Sequence, residues 1–253
     1  MPTAEQYASS IVEKYRVVAD SGSPSHRAAD ELIVLISRWA KPYLQGITLS
    51  GAYAKGTAIS LSSHVDVLVL LNPVPNKDLR YIFWNLFEYL TDQNLRAHTR
   101  DVSIQVSCKD LNVDLIPSCR DGSKFANLLF NKRVERSIQT TVGQHVHLIA
   151  NSGRQQEICA LKIWRERKEL DFPSLYLELI TLHALENERF GHLTDNVHAV
   201  LRYIANRIEH AVIVDPANPG NVVSEDLSRD AKQVIAKAAY DGLYEDNWKK
   251  ILW

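Results

Sequence analysis

The hydrophobic pattern changes its period part-way along the chain, and that change limits the folds open to it. Up to about residue 120, strand-like text dominates: GITLSGA, VDVLVLL, DVSIQVSC and NVDLIPS. Two helices precede it. The first spans about Ala4 to Ala19, with Tyr7, Ile11, Tyr15 and Val18 at helical spacing. The second follows the turn-rich SGSPS, with Ser25 as its cap and Ala29, Leu32, Ile33, Ile36 and Trp39 along one side. A further helix, DLRYIFWNLFEYL, lies between the second and third strands and can cover the sheet. From Glu135 onward the pattern is helical almost throughout: ERSIQTTVGQHVHLIA, QEICALKIWRERKE, SLYLELITLHALENER, DNVHAVLRYIANRIEHA, EDLSRDAKQVIAKAAY and a closing NWKKILW. One stretch, VDPANPGNVVS, breaks the run and demands a shaped loop. A mixed α/β part followed by an all-α part is therefore expected, with the boundary between residues 135 and 145.

Composition excludes several classes. At 253 residues, 45% hydrophobic and 23% charged, the chain can bury one large core or two modest ones. It has no apolar run of the roughly 20 residues a bilayer requires, and MPTAEQYASSIVEKYRV lacks the pattern of a signal peptide. Cys108, Cys119 and Cys159 are odd in number and lack CxxC spacing, which fits a reducing, cytoplasmic setting with no membrane partner. A net charge of −1 argues against a broadly basic nucleic-acid-coating surface. It leaves room for local basic groups such as Lys132-Arg133-Arg136 and Lys162-Arg165-Arg167-Lys168, which read as solvated helix faces unless an acidic metal site lies nearby.

Chemistry concentrates in GAYAKGTAISLSSHVDVLVLL. Gly51 follows a β-like run, and Gly56-Thr57 comes five residues later. Glycines at such positions let backbone N–H groups approach phosphate oxygens, although, taken alone, they are more often a tight turn between strands. The lysine of a P-loop is absent, as is GxGxxG. His64 and Asp66 are two apart on a strand and so share a face. Two acids at that spacing can hold divalent metals with substrate phosphates completing the shell. Asp114 sits in a second apolar strand between Val113 and Leu115, where an unpaired charge is costly. One carboxylate on each of two neighbouring strands can share a metal site.

Taken in order, Gly51, Gly56, Thr57, Ser63, Asp66 and Asp114 resemble the motif series of the polymerase-β-like nucleotidyltransferases. ALKIWRERKELDFPSLYLELITLHALE resembles the segment after the core in oligoadenylate synthetases, cyclic GMP-AMP synthase-like enzymes and archaeal CCA-adding enzymes. VDPANPGNVV resembles the DPxxPxxNV stretch of the synthetase and bacterial cyclic-oligonucleotide (CD-NTase) branch. The resemblance runs from about Thr48 to Val223.

It implies an α+β fold. A nucleotidyltransferase core with a mixed β-sheet and an N-terminal spine helix would occupy residues 1–140. An all-helical C-terminal lobe would occupy residues 141–253, with the active cleft between the two. It also implies Asp66 and Asp114 as ligands of Mg²⁺ or Mn²⁺, with Asp114 helping to activate the attacking hydroxyl. Lys162 and Ser174 take triphosphate-contacting roles, and Tyr176 lies on the same stretch, where helix packing explains it as well. Nucleoside triphosphates are the implied substrates. Further implied partners are an oligonucleotide or RNA acceptor and an activator or effector protein.

The chain departs from the motif twice. Ala52 stands where the family carries a serine, and His64 where it carries the first acid. Imidazole is a poor replacement for a hard oxygen ligand of Mg²⁺. His64 can mark an inactive nucleotide-binding protein, an engineered substitution, a site for Mn²⁺ or another imidazole-tolerant metal, or an alignment that uses Asp101 or Asp110 instead. The expected activity is the joining of NTPs into cyclic or linear oligonucleotides with release of pyrophosphate, in bacterial anti-phage signalling, impaired by His64. The alternatives are a catalytically silent nucleotide-binding partner and a CCA-type enzyme adding nucleotides to RNA ends.

Overall fold

The computed structural model describes residues 2–17, 24–62, 64–108, 111–120 and 127–253. Contacts divide the chain into two units, neither continuous in sequence. One comprises Met1–Val17, Thr57–Ser62 and Leu148–Trp253; the other comprises Val18–Gly56 and Ser63–His147.

The second of these is built on a mixed sheet. Its strands are β1 (Leu44–Leu49), β2 (Val65–Leu71), β3 (Ala97–Thr99), β4 (Ile104–Cys108), β5 (Leu111–Arg120), β6 (Asn127–Asn131) and β7 (Arg136–Thr140). The order is β1-β2-β5-β4-β3, with β6 also pairing β5 and β7 pairing β6. Among the described residues, β2–β5 is the parallel pair of this sheet and its other pairs are antiparallel. β5 is long enough to hold two partners on one edge. Residues 111–115 pair with β4 and residues 118–120 with β6, while β2 runs along the opposite edge.

Alternation along the strands sorts their side chains by face. Val65, Val67, Val69 and Leu71 on β2 are buried, as are Val113 and Leu115 on β5 and Ile104 and Val106 on β4. Helices α2 (Pro24–Ala40) and α4 (Leu79–Asp92) pack on these strands. α4 buries Leu79, Ile82, Phe83, Leu86 and Leu90, and Asp78 caps it by accepting a 2.8 Å hydrogen bond from Tyr81 N. Asp66 of β2 and Asp114 of β5 lie on the opposite face, in register with each other. Helix α3 is a five-residue turn, Gly51–Lys55, closed by Gly56 at φ 70°.

The other unit contains helices α1 (Ala4–Tyr15), α6 (Gln155–Arg167), α7 (Ser174–Ala184), α8 (Leu193–Arg207) and α9 (Arg229–Leu243). Its core includes Ala8, Val12, Trp164, Tyr176, Ile180, Val200, Leu201 and Ile204. Glu5 of α1 caps α8 from a distance. Its carboxylate accepts from Leu193 N (2.8 Å), Thr194 N (2.9 Å) and Thr194 Oγ1 (2.7 Å), at a helix start whose own cap residue, His192, makes no side-chain cap bond. Residues 57–62 join this unit by bridging Arg16 to Ile59 and by the bonds Val17 N to Ala58 O and Ser60 N to Tyr15 O.

Several local expectations change. The second helix begins at Pro24, so Ser25 lies inside its first turn rather than at the cap; proline's fixed φ and missing N–H suit that first turn. RSIQT is strand β7, because β6 offers it an unpaired edge, and only Val142–Ala150 (α5) continues as helix. VDPANPGNVVS folds as a small antiparallel hairpin, β8 (Val214–Asp215) with β9 (Asn218–Val222), shaped by Asp215 accepting from Ala217 N. No helix among the described residues is long and apolar enough to cross a membrane.

Candidate active site

Parallel pairing of β2 with β5 sets Asp66 directly beside Asp114. Partners in register on parallel strands point to the same face, and neighbouring strands lie about 4.8 Å apart. Two carboxylates so placed repel each other and call for a cation. Two residues back on β2's line, His64 projects to the same side. Its Nε2 lies 3.2 Å from Asp114 Oδ2 and 3.6 Å from Asp66 Oδ1. One ligand atom from each of the three residues falls within 4.8 Å of the other two.

Burial sharpens the demand. Asp114 is 2% exposed, and its Oδ1 has no hydrogen-bond partner among the described residues. The Nε of Arg100 lies 3.6 Å from that oxygen, close enough for charge attraction but beyond a hydrogen bond. A buried carboxylate oxygen left in this state costs free energy until something binds it.

Gly51 is part of the same geometry. Its φ is +55°, and a Cβ there would sit 1.7 Å from Asp66 Oδ2. Glycine therefore lets the carboxylate lie against the α3 turn, whose first residue is Gly51. Ser50 N donates to Asp66 O at 2.8 Å and ties that turn to β2. A cavity of 490 Å³ opens over the acids, lined by His64, Asp66, Arg100, Asp101, Val102, Ser103, Asp114 and Ile116.

Arg100 was not singled out in the sequence. It belongs to the turn between β3 and β4, where Arg100 N donates to Ser103 O. The text AHT-RDVS-IQV carries a hairpin signal that could have placed this turn beside β5, since β4 also pairs with that strand.

The remaining candidates occupy other surroundings. Ala52 and Gly56 lie in and just after α3, and the Gly56 N–H bonds back to Ala52 O and Tyr53 O. Lys162 is 2% exposed. Its ammonium donates to Glu178 Oε1 at 2.7 Å and to Thr57 Oγ1 at 3.0 Å, while the Thr57 hydroxyl donates to the same Glu178 oxygen at 3.2 Å. Ser174 opens α7 and its hydroxyl accepts from Arg165 Nη1 at 2.9 Å. Tyr176 is fully buried, edge-on to Phe172 at 5.2 Å. Burial, with Tyr203 adding to it, pushes its phenol up to about 12. Ser63 and Asp110 lie outside the described residues.

No protein-family model matches this chain, and no curated protein matches its sequence. Solved structures do match its fold. CdnC of E. coli MS115-1, bound to ATP, superposes with a TM-score of 0.78 at 20% identity, over 98% of this chain and 96% of that one. The chain shares the fold of CdnC over nearly its whole length. The CD-NTase CdnG of Bradyrhizobium diazoefficiens, in complex with GTP, gives 0.77 at 13% identity, over 96% and 91% of the two chains. The Cid1 poly(U) polymerase with MgGTP gives 0.70 at 14% identity, over 98% and 97%. Within this shared fold, Asp66 and Asp114 stand in register on the parallel pair β2–β5.

Proposed function

We propose that the chain is a nucleotidyltransferase of the CD-NTase type, which joins nucleoside triphosphates into cyclic or linear oligonucleotides and releases pyrophosphate. The observation that carries this reading is the in-register Asp66–Asp114 pair, with the unpartnered Asp114 Oδ1, in a fold shared with nucleotide-bound CdnC and CdnG. The donor set of His64 Nε2, Asp66 Oδ1 and Asp114 Oδ2 fits one divalent cation, because the buried, under-satisfied carboxylate needs a positive partner. Such an ion, when bound, neutralises charge on the triphosphate and on the departing pyrophosphate.

The chain's own residues do the rest. Asp114 Oδ1 accepts the proton of the attacking hydroxyl, which is the role its free hydrogen-bonding capacity suits. Gly51 and Gly56 allow the backbone of the α3 turn to approach phosphate oxygens. Arg100, on the wall of the cavity, holds further anionic oxygens. Lys162 contacts phosphate only by leaving Glu178 and Thr57, so its present partners hold it in reserve.

A cyclic dinucleotide is one product class, supported by the likeness to CdnE of Elizabethkingia meningoseptica, a cyclic dinucleotide synthase. An RNA acceptor is supported by Cid1, which is seen with its short product ApU. CdnC is seen in complex with HORMA-deltaN, so a protein partner belongs to the proposal as well. The role in anti-phage signalling rests on the motif resemblance.

His64 supports a second reading, nucleotide binding without turnover, since one anionic ligand is missing from the site. The test is incubation with labelled NTPs in Mg²⁺ and separately in Mn²⁺, with product resolution. Product from this chain, raised about tenfold or more by His64→Asp and abolished by Asp114→Asn, supports the transferase. NTP binding with no product from either the chain or His64→Asp replaces it with the silent binder.

A further inference from the structure

We infer that His64, Asp66 and Asp114 form a mixed nitrogen–oxygen site for a single first-row transition ion, in preference to Mg²⁺. The inference rests on the reading of this cluster as the nucleotidyltransferase metal centre, and names the class of ion that centre takes.

Three observations carry it. First, the nitrogen is placed as a ligand. His64 Nε2 lies within 3.6 Å of one oxygen from each carboxylate, so an ion bound to both acids meets the imidazole as well. Second, the protein offers two anionic ligands. Two divalent ions would bring four positive charges to two negative ones, before any substrate phosphate arrives; one ion is balanced. Third, Asp114 lines the cavity at 2% exposure, and its Oδ1 lacks a hydrogen-bond partner among the described residues, with Arg100 Nε no nearer than 3.6 Å, so the carboxylate keeps a demand for a closer positive partner.

The donor chemistry then selects the ion. Mg²⁺ is hard, holds its waters and takes oxygen ligands in near-ideal octahedral geometry. Imidazole suits Zn²⁺, Fe²⁺, Ni²⁺ and other borderline ions, which also accept carboxylate, and affinity rises along the first row from Mn²⁺ to Cu²⁺. Replacing an aspartate by histidine at position 64 therefore weakens binding of Mg²⁺ more than binding of Mn²⁺ or Co²⁺. The Arg100 side chain is half-exposed, so it can swing off Asp114 when an ion binds.

The test uses the full chain without nucleotide, with Mn²⁺, Co²⁺ and Mg²⁺ as probes. Pulsed electron paramagnetic resonance of bound Mn²⁺ should show coupling to one directly bound ¹⁴N. That coupling should vanish in His64→Ala and in His64→Asp. By calorimetry, Co²⁺ should bind more tightly than Mg²⁺, and His64→Asp should narrow the ratio by at least about tenfold. Asp66→Asn, which keeps the shape and removes one charge, should weaken both ions. Bound Mn²⁺ without ¹⁴N coupling, or a Co²⁺/Mg²⁺ ratio unchanged by His64→Asp, overturns the inference. Turnover is not needed: ¹⁴N coupling with no oligonucleotide product from either the chain or His64→Asp leaves the metal assignment standing and removes the transferase, and product without coupling does the reverse.

Discussion

Replacing Gly51 by alanine sets two costs against each other, and they can be separated. The backbone there sits at φ +55°, and a left-handed conformation costs an L-residue about 1–2 kcal/mol. The new methyl would also stand 1.7 Å from Asp66 Oδ2 and 2.5 Å from its Cγ, so the carboxylate must leave its place. Forcing an extra carbon into packed surroundings costs about 1–3 kcal/mol more. Gly51→Ala alone should therefore lose about 2–5 kcal/mol in urea denaturation. In an Asp66→Ala background the carboxylate contacts at 1.7 and 2.5 Å are gone, the Cβ contact at 2.9 Å stays, and the loss should fall toward the backbone cost of about 1–2 kcal/mol. A double-mutant cycle reads the difference as a coupling energy. Additive losses, with no coupling, would show that Gly51 serves the turn alone and not the placement of Asp66.

Further outcomes follow from other contacts. Lys162→Met leaves Glu178 buried without its ammonium, and should destabilise the fold by about 3–5 kcal/mol in denaturation; Lys162→Met with Glu178→Leu should recover much of that loss. Burial raises the Glu5 carboxyl, but the hydrogen bonds from Thr194 and Leu193 outweigh it and leave the group lowered. A lowered carboxylate stabilises above its unfolded value, and the benefit is lost as pH falls through the folded one. Glu5→Gln should thus cost about 0.5–2 kcal/mol near neutrality, and should flatten the acid limb of stability measured below about pH 4.5.

Much of the His64–Asp66–Asp114 cluster was legible in the sequence, because its determinants are local. The i, i+2 spacing of His64 and Asp66 in HVDVLVLL implies one face of one strand, and an acid inside NVDLIPS implies a buried charge with a purpose. Helices of strong period, such as Leu79–Asp92 and Leu193–Arg207, were equally readable. Short pieces whose state depends on a neighbour were not. RSIQT pairs because β6 lies beside it, and the three-residue β3 is a strand only through β4. Ser25 has the chemistry of a cap, yet Pro24 starts the helix one residue earlier.

The sequence by itself determined which residues could do chemistry: the glycines at 51 and 56, the His64 departure, and the carboxylates at 66 and 114. Tertiary structure alone decided the company they keep. Nothing in the local pattern says that Val65–Leu71 pairs in parallel with Leu111–Arg120, or that the register sets Asp66 opposite Asp114 and not one residue away on the other face. Nor does it say that Lys162 is buried against Glu178 and Thr57 instead of lying on a solvated helix face. Periodicity records which side of an element is apolar. Register and burial arise from partners distant in the chain, and they are settled only when those partners pack.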